Sequence, residues 1–259
     1  MRTLHDDLGA SLTLPDPTRV VSLVPSLTEA IATSAPGVLV GATEWCTHPA
    51  DLDVPRFGGT KNPDVDGIVA TAPDLVVMNE EENKPEHVAA LREAGIPVWV
   101  TDIRTVDGAL ASLDRLLDAL SAPERGWLQD ARAAWERLPA PTARRRAVVP
   151  IWRRPWMALG ADTYAGDVLR RLGVDNVLAD AEERYPRIDL DDIQRRGVDL
   201  VVLPDEPYRF TADDGPEAFG EVPSALVDGR HLTWYGPAMT QAPTALAEQL
   251  DTLVSGGTR

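Results

Sequence analysis

The sequence predicts an α/β protein of two similar lobes, each built on a parallel sheet, joined by a single long helix. Three observations predict it. Short apolar runs alternate with helical stretches across short connections, the rhythm of a sheet covered by helices on both faces. A segment from the first half of the chain recurs in the second half. Between the two copies, helical periodicity runs far longer than an ordinary crossover needs.

The elements follow in order. Residues 1–18 are polar, with Pro15 and Pro17 at their end, and read as a loose entry arm or an edge strand. Arg19–Val24 is an apolar run that reads as a buried strand, stopped by Pro25. Ser26 and Glu29 have the spacing of a capping box and predict a helix to about Ala35. Val38–Gly41 is the next strand. Asp64–Ala72 reads as a short helix, Asp74–Met78 as a strand, Pro85–Ala94 as a helix closed by Gly95, and Ile96–Val100 as a strand. Helical spacing then runs from Val106 to about Leu120 and, after Ser121-Ala122-Pro123, from Glu124 to Leu138. The second half repeats the rhythm. Strands are predicted at Ala147–Trp152, Asp199–Leu203 and His231–Trp234, and helices at Tyr164–Leu172, Leu190–Arg196 and Ala238–Val254.

The repeat lays Asp64–Glu82 on Asp189–Pro207 without gaps. Identities fall at Asp64/Asp189, Asp66/Asp191, Ile68/Ile193, Asp74/Asp199, Leu75/Leu200, Val76/Val201, Val77/Val202 and Glu81/Glu206. Duplication of a Rossmann-like lobe accounts for this better than shared secondary structure alone. The predicted organisation is an arm at 1–18, lobe one at 19–103, a linking helix at 104–140 and lobe two at 141–259. The cleft between the lobes is the expected ligand site.

Composition removes several function classes. With 25 basic and 41 acidic residues the formal charge is −16, which repels nucleic-acid backbones and anionic lipid. No apolar run approaches the ~18 residues of a membrane span. Cys46 is the only cysteine, so neither an internal disulfide nor a cysteine-cluster metal site can form. The first residues lack a basic start followed by an apolar stretch, so the chain as written is expected in the cytoplasm, or outside it if the N-terminus has been processed or trimmed. Motifs for a nucleophilic serine, a phosphate loop or a zinc protease are missing, and no catalytic residue, bound metal or cofactor is predicted.

The phrases Arg19–Glu29, Gly58-Gly59-Thr60, Ile68 to Val76, Leu91 to Val98 and Ile188 to Val202 carry a resemblance over nearly the whole chain. In order and spacing the sequence resembles the substrate-binding proteins of ABC importers whose lobes are joined by one long helix, the helical-backbone metal receptors. Those receptors take cobalamin, haem, metal–siderophore chelates and some bare metal ions. The nearest likeness is to the cobalamin-binding branch. The resemblance implies that Trp45, Trp156, Tyr185, Trp234 and Tyr235 line a corrin pocket, with Asn79 where that branch often has an aromatic. It also implies an ABC permease as partner, docked through one acidic residue on each lobe, here Glu86 and Asp213 or Asp214.

The residues themselves point to the same places. In open α/β sheets ligands sit beyond the strand carboxyl ends, and Pro25-Ser26, Thr43–His48, Asn79–Asn83, Arg153–Trp156 and Trp234-Tyr235 lie there. The candidate ligand-binding set is therefore Pro25, Ser26, Trp45, His48, Asn79, Glu81, Arg153, Trp156, Tyr185, Trp234 and Tyr235. Tryptophan supplies 7 of the aromatics against 4 Tyr and 3 Phe, and its flat face and single donor suit a broad planar ligand. Each indole could equally fill core. Glu80–Glu82 and Asp205-Glu206 could attract a cationic ligand or its amides, or be solvated loops. Cys46 and His48 are possible metal ligands, and His48 alone could coordinate a chelated metal or simply be a satisfied loop residue. Arg153-Arg154 could hold a carboxylate or phosphate, or answer the acidic loops. The expected function is non-catalytic capture of a cobalamin-like corrinoid or related chelate by a monomer. The alternatives are a cytoplasmic siderophore- or haem-type chelate binder and an enzyme acting on a bound corrinoid.

Overall fold

The computed structural model describes residues 2–254. Residue 1 and residues 255–259, the outermost parts of the predicted arm and lobe two, lie outside the described residues. The chain divides into two units. One comprises the chain up to Ile103, Gly108–Asp130 and Tyr235–Pro237; the other comprises Arg104–Asp107, Ala131–Trp234 and the chain from Ala238 on.

In the first unit β1 (Arg2–His5) and β2 (Ser11–Leu14) form an antiparallel hairpin. Then come β3 (Val20–Ser22), α1 (Pro25–Ser34), β4 (Leu39–Ala42), the minute hairpin β5 (Gly58–Gly59) and β6 (Asn62–Pro63), α2 (Val65–Ala70), β7 (Leu75–Asn79), α3 (Pro85–Glu93) and β8 (Val98–Thr101). The sheet order is β4-β3-β7-β8, with every pair parallel. Val21, Leu23, Val76, Met78, Val98 and Val100 from its strands pack with Ile68 of α2 and Leu91 of α3 into one core. Parallel strands covered on both faces must be apolar on both, hence their near-continuous hydrophobic runs.

The N-terminal segment is no loose arm. Asp6 accepts from the backbone N–H groups of Leu8, Ala10 and Val100. Asp7 accepts from Asp102 N–H, the Ser112 hydroxyl at 2.5 Å and the Arg115 guanidinium at 2.6 Å. Both aspartates thus tie the hairpin to the body of the unit. A second correction concerns α1. Its first turn opens on Pro25 after Val24, with no side-chain cap, so Ser26 and Glu29 lie inside the helix and form no capping box. Proline at the start replaces the cap, because it brings no orphan N–H.

The predicted single long helix is two helices, α4 (Val106–Ala119) and α5 (Gly126–Glu136). The break falls at the predicted Ser121-Ala122-Pro123. Ser121 takes a positive φ of 49°, and Pro123 offers no N–H to continue the ladder. The start of α4 belongs to the second unit, where Asp167 caps it by accepting from Val106 N–H at 2.9 Å.

The second unit continues with β9 (Arg145–Val148), the hairpin β10 (Pro150–Arg153) and β11 (Trp156–Ala158), α6 (Tyr164–Arg171), β12 (Val174–Asn176), α7 (Leu190–Arg195), β13 (Leu200–Pro204), β14 (Ser224–Val227), α8 (Gly229–Thr233), α9 (Ala242–Asp251) and β15 (Leu253–Val254). Its sheet runs β12-β9-β13-β14-β15, parallel except for β15. Three predictions change here. The predicted strand Ala147–Trp152 divides at Val149 into β9 of the sheet and β10 of the hairpin. His231–Trp234 is not a strand: Asp228 accepts from His231 N–H at 2.8 Å and caps the helix α8 through those residues. The closing helix is shorter than predicted, with a 3-10 turn at Pro237–Thr240 before α9 and a strand after it.

The duplication is visible in atomic detail. Strand order β4-β3-β7-β8 in one unit matches β12-β9-β13-β14 in the other. Asp64 and Asp189 cap α2 and α7 with their side chains. Asp74 accepts from Thr18 and Arg19 N–H, and Asp199 from Arg146 N–H. The Arg19 guanidinium binds the Thr71 and Ala72 carbonyls, while Arg146 binds those of Arg196 and Gly197, the repeat partners. Shared secondary structure would not reproduce this Arg–Asp latch at matching positions.

One latch position differs between copies. Ala72 has φ 47° and its counterpart Gly197 φ 67°. A Cβ in that region costs roughly 1–2 kcal/mol, partly offset because alanine stiffens the unfolded chain. Ala72→Gly is therefore expected to stabilise the protein by about 0.5–1 kcal/mol in urea unfolding. Destabilisation by that substitution would mean the strain is absent.

Candidate ligand-binding site

The first unit gathers several candidate residues at the carboxyl ends of β3, β4 and β7. Asn79, the last residue of β7, is only 2% exposed and divides its amide between the end of β8 and the loop. Its Nδ2 donates to the Thr101 hydroxyl and carbonyl, and its Oδ1 accepts from Glu81 and Glu82 N–H. Asn83 completes the loop: its Oδ1 accepts from Asn79 N–H, and its Nδ2 donates to the Leu23 and Thr60 carbonyls. Asn79 therefore shapes the acidic loop; its amide is fully used within the unit. Asn83 and Thr101 were not singled out from sequence. The Asn-x-x-x-Asn spacing after a buried strand was the available signal.

The loop presents Glu81 and Glu82 half-buried. Tyr235 is buried, and its hydroxyl donates to Glu82 Oε1 at 3.1 Å. Burial, then the charges of Glu82 and Glu81, push the phenol well above its ordinary range, with Ser26 of α1 beside it. Ser26, Glu81 and Tyr235 thus come together, with Pro25 one residue from Ser26 in the first turn of α1.

Trp45 stands in the turn after β4 and is 65% exposed. Its indole Nε1 lies 3.1 Å from where a Cβ on Gly59 would be, so Gly59 makes room for the ring. The turn is braced by Glu44 N–H to the Gly58 carbonyl and by Arg56 to the Thr43 and Cys46 carbonyls. Lys61 donates to the Glu81 carbonyl at 2.5 Å, linking the β5–β6 hairpin to the acidic loop. Cys46 is buried, 3.1 Å from both the Thr28 and Thr43 hydroxyls, and burial pushes its thiol up. A buried neutral thiol is a poor metal ligand, which removes Cys46 from the candidate ligands. His48 is half-buried, with Nδ1 3.2 Å from the Thr47 hydroxyl. Among the described residues, no three His, Cys, Asp or Glu side chains are grouped to hold a metal ion.

The second unit separates its candidates. Trp156 packs against that unit's core, stacked on Phe210 at 6.0 Å and edge-on to Phe219 at 5.4 Å. Arg153 lies 5.4 Å over the Trp156 ring and pairs with Asp214 and Glu217. Of the alternatives open for each residue, Trp156 packs on Phe210 and Phe219, and Arg153 answers acidic groups, which lie in its own unit rather than across a cleft. Trp152, on the same hairpin, is 42% exposed and meets Tyr208 edge-on at 5.7 Å. Tyr185 is half-buried in the segment whose neighbours Arg184 and Pro186 bond Gly160 and Ala158 of the hairpin side.

Trp234 is 9% exposed, with Arg230 5.5 Å over its ring. Its indole N–H bonds Glu206, whose carboxyl is pushed up by burial and by neighbouring Asp205. Consecutive aromatics thus serve different units: Trp234 meets the acidic loop after β13, and Tyr235 meets the acidic loop after β7. Glu86 is exposed in the first turn of α3, and Asp213 is exposed in the turn closed between Thr211 and Asp214.

Residues 20–219, well over half of the chain, match the family described as periplasmic binding protein. The chain belongs to that family. The vitamin B12-binding protein of Vibrio cholerae serotype O1 is 25% identical over 186 residues, covering 68% of this chain and 66% of that protein, just under two thirds of its length. Among solved structures, the periplasmic vitamin B12-binding protein BtuF of Vibrio cholerae superposes with a TM-score of 0.72 at 18% identity, over 91% of this chain and 97% of that one. The periplasmic heme-binding protein RhuT from Roseiflexus sp. RS-1, in apo form, gives 0.75 at 22%, over 90% and 97%. The fold is that of these binding proteins. Family membership overturns the expected cytoplasmic location, because periplasmic binding proteins are extracytoplasmic. That expectation rested on the first few residues alone. Among the described residues no helix is long and apolar enough to cross a membrane.

Proposed function

We propose that this periplasmic binding protein captures a cobalamin-like corrinoid and delivers it to the permease of an ABC importer. The observation that carries the reading is the exposed Trp45 indole, held beside Gly59 at the strand carboxyl ends of a chain whose curated relative binds vitamin B12. Trp152 offers a second exposed indole on the other unit. Glu81, Ser26 and Tyr235 supply polar groups near the first, and His48 adds an imidazole in the same loop as Trp45. Within the second unit, Trp152, Tyr185 and Trp234 are the proposed contact residues. Glu86 and Asp213 are the proposed docking carboxylates, since both are exposed.

Haem is the second reading, favoured by the fold shared with RhuT. One observation counts against it. Haem iron is commonly held by a His, Cys or Tyr side chain. Here the Cys46 thiol and the Tyr235 phenol are both buried, and burial pushes both up, which leaves His48 and Tyr185 as the candidate axial ligands.

Cyanocobalamin is expected to quench tryptophan fluorescence saturably at one equivalent. Trp45→Ala is expected to weaken binding by about 1–3 kcal/mol, the scale of a lost aromatic contact. Absence of quenching by any corrinoid, with tight haem binding, would transfer the proposal to haem.

A further inference from the structure

We infer that Arg154 and Arg209 of the second unit hold an anionic group of the ligand, the phosphodiester of a corrinoid's nucleotide tail, with the exposed indole of Trp152 beside it for the attached base. The inference rests on the corrinoid reading and deepens it.

Two segments of this unit, one following β9 and one following β13, are locked together by aromatic contacts at the carboxyl ends of those strands. Trp152 of the hairpin meets Tyr208 at 5.7 Å, Trp156 stacks on Phe210 at 6.0 Å, and Tyr208 meets Phe210 at 4.7 Å. Arg154, in the turn of the hairpin, lies in the chain between the two tryptophans, and Arg209 lies between their two partner rings. Both arginines are exposed, and among the described residues neither has a hydrogen-bond or ion-pair partner. Arg187 is a third such arginine, bridged through its backbone to Met157 of β11.

The carboxylates nearby are committed. Arg153 takes Asp214 and Glu217; Asp214 also accepts from the Tyr208 hydroxyl at 2.6 Å, and Glu217 from Gly215 N–H at 2.7 Å. Other arginines of the unit are neutralised, Arg144 by Asp175 and Arg195 by Asp192. A chain of formal charge −16 repels an anion at long range, so an anionic part of a ligand is best received where cations stand uncompensated. The planar guanidinium fork presents paired donors to a phosphate. The aromatic lock fixes the backbone that carries both forks, so less ordering is left for the ligand to impose. A nucleotide tail joins a phosphodiester to a flat base, and Trp152, 42% exposed, offers that base a stacking face.

The test compares three corrinoids of one ring: cyanocobalamin, with phosphate and base; cobinamide phosphate, with the phosphate alone; and cobinamide, with neither. Affinity is read by tryptophan quenching at low and at high salt. The overall negative field favours cobinamide, which lacks the phosphate charge, so a preference the other way must come from local cations. The wild-type protein is expected to bind both phosphate-bearing corrinoids about tenfold or more tighter than cobinamide, the scale of one or two charge-assisted hydrogen bonds. High salt is expected to shrink that margin. Arg154→Gln/Arg209→Gln is expected to remove it by weakening the two phosphate-bearing corrinoids, while cobinamide affinity and the melting temperature hold, since both side chains are exposed and unpaired. Arg154→Lys/Arg209→Lys is expected to keep part of it, because lysine retains the charge and loses the fork. Equal affinities in the wild type, or a margin that survives the glutamine pair, would overturn the anion site and leave the corrinoid reading intact. Cobinamide phosphate binding no tighter than cobinamide would assign any preference to the base and overturn the site as well. Failure of all three to bind would overturn the corrinoid reading and this inference with it.

Discussion

Asn79→Ala is expected to lower the unfolding free energy by about 2–4 kcal/mol, because one buried amide serves two strands and a loop. The substitution takes the acceptor from the Glu81 and Glu82 N–H groups and leaves the Thr101 hydroxyl with its bond to the Met78 carbonyl but without the Asn79 donor. It also leaves a small cavity at a residue only 2% exposed. Water can reach the half-buried loop more easily than Thr101, so the loss should fall short of the sum of the individual bonds. Asn79→Asp separates the parts. It keeps the acceptor for the loop but loses the donors to Thr101, and it places an anion beside Glu81 and Glu82. Chemical denaturation of both variants checks this, and a loss below about 0.5 kcal/mol for alanine would show the loop standing without the amide.

Asp167→Ala is expected to cost about 1–3 kcal/mol, since a buried carboxylate that caps α4 and accepts from two arginines is lost, leaving the Val106 N–H without its acceptor. Asp167 is 8% exposed. It accepts from Val106 N–H at the start of α4 and from Arg171 Nε at 2.9 Å, and it also pairs with Arg170. Burial alone would raise its carboxyl, but the Val106 N–H and the two arginines outweigh that and hold it below the usual range. The sign follows from the depression. The stabilisation is present above the unfolded aspartate value of about 3.9 and is lost as pH falls through the lower folded value. Asp167→Asn is therefore expected to flatten the acid limb of the stability–pH curve, while lowering stability at neutral pH. An acid limb identical to wild type would show that this carboxylate is not the group titrating there.

Much of this was legible in the chain. The Asp-Leu-Val-Val phrases exposed the repeat because aspartate caps and both-faces-apolar strands are local, and local chemistry is written in adjacent residues. The exposed Trp45 followed from its place after a strand. Other residues were hidden for physical reasons. Trp156 and Trp152 share a hairpin and look alike in sequence. Only the positions of Phe210 and Phe219, more than fifty residues away, half-bury one, while the other meets Tyr208 at its edge and stays 42% exposed. Arg153 looked available because Asp214 and Glu217 are remote in the chain. The short His231–Trp234 run reads as a strand by itself, and only the Asp228 side chain three residues before His231 makes it the helix α8. No periodicity could announce that Trp234 and Tyr235 part company.

That parting bears on how the protein is made. Tyr235–Pro237 complete a unit whose other residues all precede Asp130 or include it. A ribosome emits the chain from its N-terminus, so the earlier segments wait for the Tyr235 phenol that bonds Glu82 until more than a hundred further residues beyond Asp130 have been added. Nascent chains arrested before residue 235 should accordingly be more readily cut by protease in the segment around Glu80–Asn83 than the released protein is.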